Sequence, residues 1–274
     1  MIGIRTPFRI SFLGGGSDIE SYYKHDYGCV LSTSIDKYIY IFIHKYFTDQ
    51  IQVKYSKTEL ANNLSEINHP IVRETLKKFN LKGVDINSIA DIPAGTGLGS
   101  SSAFTVSLLN ALYNYVNKAK SKVDLAKEAC DVEINLLKEP IGKQDQYATA
   151  IGGLNKIYFH SDGSVKIVNI DISKEIKNYF HSNLILFYYG KQRDASSILK
   201  HQKSNIENDS NTKNILKKMV ALAEDGYQLI ISSKFTEFGM LMNENWMLKK
   251  SLSTNISNLQ IDEIYNNAIK NGAL

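Results

Sequence analysis

The chain has 274 residues, 43% hydrophobic and 22% charged, close to the average for soluble globular proteins. That length allows one large or two modest domains with a sizeable core, and the composition excludes a wholly disordered chain. Lys and Arg number 32 against 28 Asp and Glu, and the net +4 is too small a bias to argue for nucleic acid.

Cys29 and Cys130 have no CxxC or Cys/His metal spacing, so a reducing compartment and no disulfide framework are expected. The opening Met1-Ile2-Gly3-Ile4-Arg5 lacks the pattern of a signal peptide. Apolar runs such as Tyr38-Ile39-Tyr40-Ile41-Phe42-Ile43 fall far short of the ~20 residues of a membrane helix. The histidines are scattered and never paired at i, i+4, which argues against a metal centre built on them. The expectation is a cytoplasmic protein, without a nucleic-acid or membrane partner, as a monomer or homodimer.

In chain order, Phe8–Leu13, Cys29–Ser34 and Lys37–Tyr46 are β-rich, and Ile51–Tyr55 alternates with the period of a half-buried strand. A helix is predicted over Pro70–Phe79, with Ile71, Leu76 and Phe79 on one face, and a strand over Val84–Ile89. After Gly99 the apolar residues Ala103, Val106, Leu109, Ala111, Leu112 and Tyr113 predict a largely buried helix, with Ser100, Ser101 and Ser102 as cap candidates. Helices follow over Lys122–Leu137, halted by Pro140, and over Lys143–Ile151, stopped by Gly152-Gly153. Asn155–Phe159 and Val165–Ile170 predict a hairpin turning at Asp162-Gly163. Leu184–Tyr189 predicts a further strand, Asn205–Asn214 an exposed loop, and the rest from Ala195 is mainly helical. The domain seam is expected near 172–182, giving domains over residues 1–175 and 176–274.

Three segments carry chemistry. In Pro93-Ala94-Gly95-Thr96-Gly97-Leu98-Gly99-Ser100-Ser101-Ser102, glycines at alternate positions allow positive φ and close backbone approach, directly ahead of a helix. Successive N–H groups and the helix N-terminus would cradle an anion, and the serine hydroxyls would bond phosphate oxygens or Mg²⁺. The spacing is neither a Walker A loop nor a GxGxxG fingerprint. The plainer reading is a glycine turn that caps a buried helix.

In Arg5-Thr6-Pro7-Phe8-Arg9 through Gly14-Gly15-Gly16-Ser17-Asp18, a strand ends in three glycines that bring a carboxylate to an open corner. The same residues also read as a tight turn with a helix cap at Asp18. In Glu139-Pro140-Ile141-Gly142-Lys143-Gln144-Asp145-Gln146, Asp145 would sit near a helix N-terminus with a cation two residues earlier. Both features keep a carboxylate ionised, able to accept a hydroxyl proton, or it merely satisfies the helix dipole. Glu133 lies seven residues before Pro140 and could equally be a solvated helix residue.

Pro93 with Gly97-Leu98-Gly99-Ser100-Ser101 resembles the P-x-x-x-G-L-G-S-S motif of the GHMP kinases, which wrap this loop around ATP phosphates. Pro7, Arg9 and Gly14 are similar to the family's first motif, P-x-R/K-x-x-x-x-G, and Gly142-x-x-Asp145-Gln146 resembles the G-x-x-D-Q of its galactokinase-like members. The resemblance implies a sugar kinase using ATP and Mg²⁺. Asp145 and Arg9 would be catalytic, with residues 93 and 95–102 on the nucleotide, and Ser101 and Glu133 would hold the metal. Gly15, Gly16, Ser17 and Asp18 would meet the sugar, with Arg5, Lys143, Arg193 or Lys249 as candidate cations for a phosphate on it. Trp246 either stacks on a sugar face or packs in the core.

The Gly-Gly-Gly-Ser-Asp turn, Gly142–Tyr147 and Asn243-Glu244-Asn245-Trp246-x-x-Lys249-Lys250-x-Leu252-Ser253 resemble the branch that phosphorylates D-glycero-D-manno-heptose 7-phosphate at C1. That branch implies a small-molecule sugar phosphate as partner and a place in lipopolysaccharide or capsule biosynthesis. Other sugars such as fucose or galactose, and a non-catalytic sugar- and ATP-binding relative, are the alternatives. The implied architecture is α/β plus α+β: a ribosomal S5 domain 2-like N-terminal domain and a ferredoxin-like C-terminal domain. The C-terminal domain is expected to be incomplete, because Asn271-Gly272-Ala273-Leu274 resembles only the lead-in to the family's third, glycine-rich motif.

Overall fold

Strand β1 (Ile2–Leu13) begins the chain in the computed structural model, which describes residues 1–188, 190, 195–253 and 256–274, with the side chains of 195–198 left aside. A short α1 (Glu20–Tyr23) precedes the long β2 (Gly28–Lys45), so the two predicted strands at 29–34 and 37–46 are one. Then come β3 (Ile51–Lys54), β4 (Thr58–Ala61), α2 (Pro70–Lys77), β5 (Val84–Ala90) and α3 (Ser100–Tyr115). α4 (Lys122–Cys130) runs on as a π-helical segment, Asp131–Leu136, and α5 (Gln144–Ile151) follows. The hairpin β6 (Leu154–Phe159) and β7 (Val165–Asn169) leads to α6 (Lys174–Ser182), α7 (Ala195–Asn208), α8 (Ser210–Ile231), α9 (Phe235–Ser251) and α10 (Leu259–Lys270).

Two compact units share these elements. The first holds Met1–Ile10 and Ser34–Gly152, the second Ser11–Thr33 and Gly153–Leu274, so the expected cut after residue 175 falls inside the second unit. In the first unit the strand order is β4-β3-β5-β2, with β3 parallel to β5 and the other neighbours antiparallel. Phe8, Ile41, Ile43, Ile86, Ala103, Leu108 and Leu112 pack into its core. Val106 and Leu109 turn from the other side of α3 towards Leu125 and Ala129 of α4. A helix apolar on both sides must be covered on both sides, which holds the N-terminus of α3 in place. In the second unit β2 pairs with β6 and β6 with β7. There Phe12 lies 5.6 Å from both Phe180 and Phe238, ring centre to ring centre.

The structure corrects several local expectations. Residues 184–188 form no strand: Ile185, Leu186, Phe187 and Tyr188 are exposed, and none of the described strands pairs with them. Tyr189 lies outside the described residues. The polar stretch 205–214 is mostly helix, because Asp209 ends α7 and caps α8 by accepting the Asn211 and Thr212 N–H groups at 3.0 Å. The β6–β7 loop is longer than a two-residue turn, since His160 N still donates to Ser164 O at 2.9 Å. The triple serine does not cap α3; Gly99 does, with φ 75°, and the serines form the first turn. No helix among the described residues is long and apolar enough to cross a membrane.

Candidate active site

Arg9 leaves β1 and meets Asp145 in the first turn of α5. Its Nε donates to Oδ1 at 2.7 Å and its Nη2 to Oδ2 at 2.6 Å, the two-point geometry that a planar guanidinium makes with a carboxylate. The side chains are 11% and 26% exposed, so the pair is sheltered yet reachable. Arg9 also grips the glycine loop: Nη1 donates to Gly97 O at 2.8 Å and its backbone N to Leu98 O at 3.1 Å.

That loop has the conformation its glycines allow. Gly95, Gly97 and Gly99 have φ of 77°, 77° and 75°, values costly for residues with a Cβ. Among the described residues, a Cβ on Gly97 would meet nothing within 4 Å. Pro93 and Gly97 are exposed, Gly95, Thr96, Leu98 and Ser100 partly buried, and Thr96 Oγ1 ties back to Pro93 O at 3.3 Å. A glycine loop directly ahead of a 16-residue helix suits a polyphosphate.

Behind the loop, Ser101 Oγ donates to Glu133 Oε1 at 2.6 Å and Gln146 Nε2 to Glu133 Oε2 at 2.7 Å. Glu133 is 1% exposed, which excludes the solvated-helix reading. Burial pushes its carboxyl up, against the pull of the Ser101, Gln146 and Ser102 hydrogen bonds, and the nearby Asp145 charge adds to the rise. The π-helical segment, marked by Leu137 N donating to Val132 O at 3.0 Å, sets the register of this glutamate. Gln146 Oε1 is buried without a hydrogen-bond partner among the described residues. Ser101 Oγ, the Glu133 carboxylate and Gln146 Oε1 are oxygen donors around a buried charge, a set that fits Mg²⁺ completed by phosphate oxygens. In the sequence Gln146 enters only as the last residue of the G-x-x-D-Q likeness, with no role assigned, and its place beside Asp145 is a usable signal.

The remaining predicted residues fall elsewhere. Arg5 is exposed and stacks over the Tyr38 ring at 4.3 Å. Lys143 immediately precedes α5, partly buried. Arg193 lies outside the described residues. In the second unit, Gly15, Gly16, Ser17 and Asp18 are all buried. Ser17 commits its hydroxyl to the backbone, donating towards Gly14 O at 2.8 Å and accepting Cys29 N–H at 3.1 Å, so it braces the turn. Asp18 caps no helix: Ile19 precedes α1, and Asp18 Oδ1 accepts the Gly16 N–H at 3.0 Å. Trp246 is partly buried, 5.9 Å from the Tyr265 ring.

Comparison with known proteins finds relatives among small-molecule kinases. Residues 62–153 match the GHMP kinases N terminal domain. The chain is 27% identical over 288 residues to the D-glycero-alpha-D-manno-heptose 7-phosphate kinase of Campylobacter jejuni, covering 99% of this chain and 84% of that protein. It is 27% identical over 212 residues to a galactokinase of Pyrococcus furiosus, covering 72% of this chain and 55% of that one. A solved D-glycero-D-manno-heptose 1-phosphate kinase from Bacteroides thetaiotaomicron shares the fold, with a TM-score of 0.77 at 23% identity over 91% of this chain and 79% of that one.

Proposed function

We propose that the chain is a GHMP kinase and that it moves the γ-phosphoryl group of ATP to the C1 hydroxyl of D-glycero-D-manno-heptose 7-phosphate. The observation that carries this reading is the Arg9–Asp145 pair bonded to the carbonyl of Gly97 in the glycine loop. A base, a cation and a phosphate cradle within hydrogen-bond reach of one another are the parts that phosphoryl transfer needs.

The nucleotide phosphates are assigned to the N–H groups of 95–99 and the hydroxyls of 100–102. Mg²⁺ would be held by Ser101 and Glu133, where it offsets phosphate charge. Asp145 accepts the C1 hydroxyl proton as that oxygen forms its bond to the γ-phosphorus. The bond to the bridging oxygen then breaks and ADP leaves. Arg9 orients Asp145 and counters charge growing on the transferring group. Asp18 and the backbone of Gly15 and Gly16 are assigned to sugar hydroxyls. The likeness to the C. jejuni kinase over 99% of the chain supports heptose 7-phosphate as acceptor. We assign the enzyme to the cytoplasm and to the supply of activated heptose for surface polysaccharide.

The test is ³¹P NMR of ATP, Mg²⁺ and heptose 7-phosphate with the protein. The expected result is an anomeric phosphate signal that grows with ADP and is absent with Asp145→Asn. A preference for free fucose or galactose in the same assay overturns the acceptor, and no transfer to any sugar overturns the reaction.

A further inference from the structure

Residues Asn245 to Lys250 of α9 divide their polar groups between two neighbours, as helical spacing of four dictates. Trp246 and Lys250 serve α10, where Lys250 Nζ lies 3.3 Å from Asp262 Oδ1. Asn245 and Lys249 serve the glycine turn instead. Asn245 Oδ1 accepts the Gly14 N–H at 3.3 Å, and its Nδ2 donates to Phe12 O at 3.4 Å. One helical turn on, Lys249 Nζ donates to Gly15 O at 3.2 Å.

A second donor meets the same turn. Gln202 of α7 is 1% exposed, and its Nε2 has no hydrogen-bond partner among the described residues. It lies against Gly16, where an added Cβ would come within 2.2 Å of Nε2. A buried donor left unmatched is unfavourable, and an acceptor oxygen arriving with a ligand removes that penalty. Asp18, the carboxylate at this turn, has Oδ1 on the Gly16 N–H. An ammonium and an unmatched amide donor therefore converge on consecutive residues that have no side chains of their own. Sugar hydroxyls alone call for no cation, whereas a phosphate does, and Lys binds phosphate as a compact point charge.

We propose that Lys249 is a specificity-determining residue that receives the phosphate already carried by the acceptor, with Gln202 Nε2 as a second donor. The assignment rests on the reading of the acceptor as a sugar phosphate.

The experiment measures kcat and KM for heptose 7-phosphate and for unphosphorylated heptose, with binding of each sugar followed by calorimetry. The wild type should prefer the phosphorylated sugar. Lys249→Met should cut that preference by ~30-fold or more, carried by KM, as expected for loss of a charge-assisted contact. Lys249→Arg should restore part of it. Gln202→Leu should lower the same ratio by ~3–10-fold, which provides an independent arm if the lysine variants fold poorly. If Lys249 only tethers the turn, both sugars lose equally and the ratio stays, which overturns the assignment while leaving the acceptor reading intact. A wild type that binds both sugars alike overturns the acceptor reading and this assignment with it.

Discussion

Arg9 and Asp145, 136 positions apart in the chain, hold each other through two hydrogen bonds of 2.7 and 2.6 Å. A strand and a helix N-terminus from distant parts of the sequence are thereby joined at one carboxylate. Because Arg9 also bonds Gly97 O, the position of Asp145, the proposed base, is tied to that of the glycine loop.

Asp145→Asn keeps the shape and removes the proposed base. It also turns an amide donor towards the Arg9 donors, so one of the two bonds is lost. Turnover should fall by ~10²–10⁴, the usual contribution of a positioned general base, while nucleotide binding is retained. Single-turnover kinetics together with nucleotide calorimetry check both halves. Near-normal turnover would remove Asp145 from the mechanism.

Glu133 predicts a pH dependence of stability. Its carboxyl is pushed up by burial, so the folded state holds this proton more tightly than the unfolded state does. Stability from this group is therefore full at acid pH and is lost as pH rises from the ordinary carboxylate range through the raised value. Glu133→Gln should flatten that fall and raise the melting temperature at neutral pH without Mg²⁺. The variant should also lose any melting shift caused by added Mg²⁺. Scanning calorimetry across pH, with and without Mg²⁺, decides. An unchanged Mg²⁺ shift in the variant would place the ion elsewhere.

Gly97 and Gly99 have nearly the same φ but different surroundings. Among the described residues, an added Cβ at Gly97 meets nothing within 4 Å, whereas at Gly99 it lies 3.2 Å from Arg9 Cγ. Gly97→Ala should cost only the backbone strain, about 1–2 kcal/mol. Gly99→Ala carries the same strain and also pushes Arg9, so it should lose more turnover per unit of lost stability. Denaturant unfolding paired with initial rates separates the two. Equal losses of turnover would mean that Arg9 tolerates displacement.

The conformation of the glycine loop was legible in the sequence because its three alternate glycines allow positive φ, and conformation is a local property. The Arg9–Asp145 contact was foreshadowed only through motifs, since no local pattern tells which distant side chains will meet. The Glu133 site was half legible: the residue could be named, but its burial depends on how the π-helical segment packs beside α2 and α3. The run at 184–188 misled because β-rich composition needs a neighbouring strand to become a strand. The stretch at 205–214 misled because Asn and Asp favour loops and helix caps alike, and here Asp209 is a cap.

Gly14 and Gly16 bear on the turn through different neighbours, which gives a prediction with its own control. An added Cβ at Gly14 would lie 1.9 Å from Cys29 O, a backbone atom that cannot step aside. At Gly16 the clash is with Gln202 Nε2, the end of a flexible side chain. Gly16 φ is 106°, so Gly16→Ala combines strain with overpacking, for a total of about 2–5 kcal/mol. Gln202→Ala removes the clash but not the strain, so the double variant should recover about 1–3 kcal/mol of that loss. Gly14→Ala should gain nothing from the same second change. A double-mutant cycle by urea unfolding measures this coupling. Strict additivity at Gly16 would mean that Gln202 is not what closes off that side of the turn.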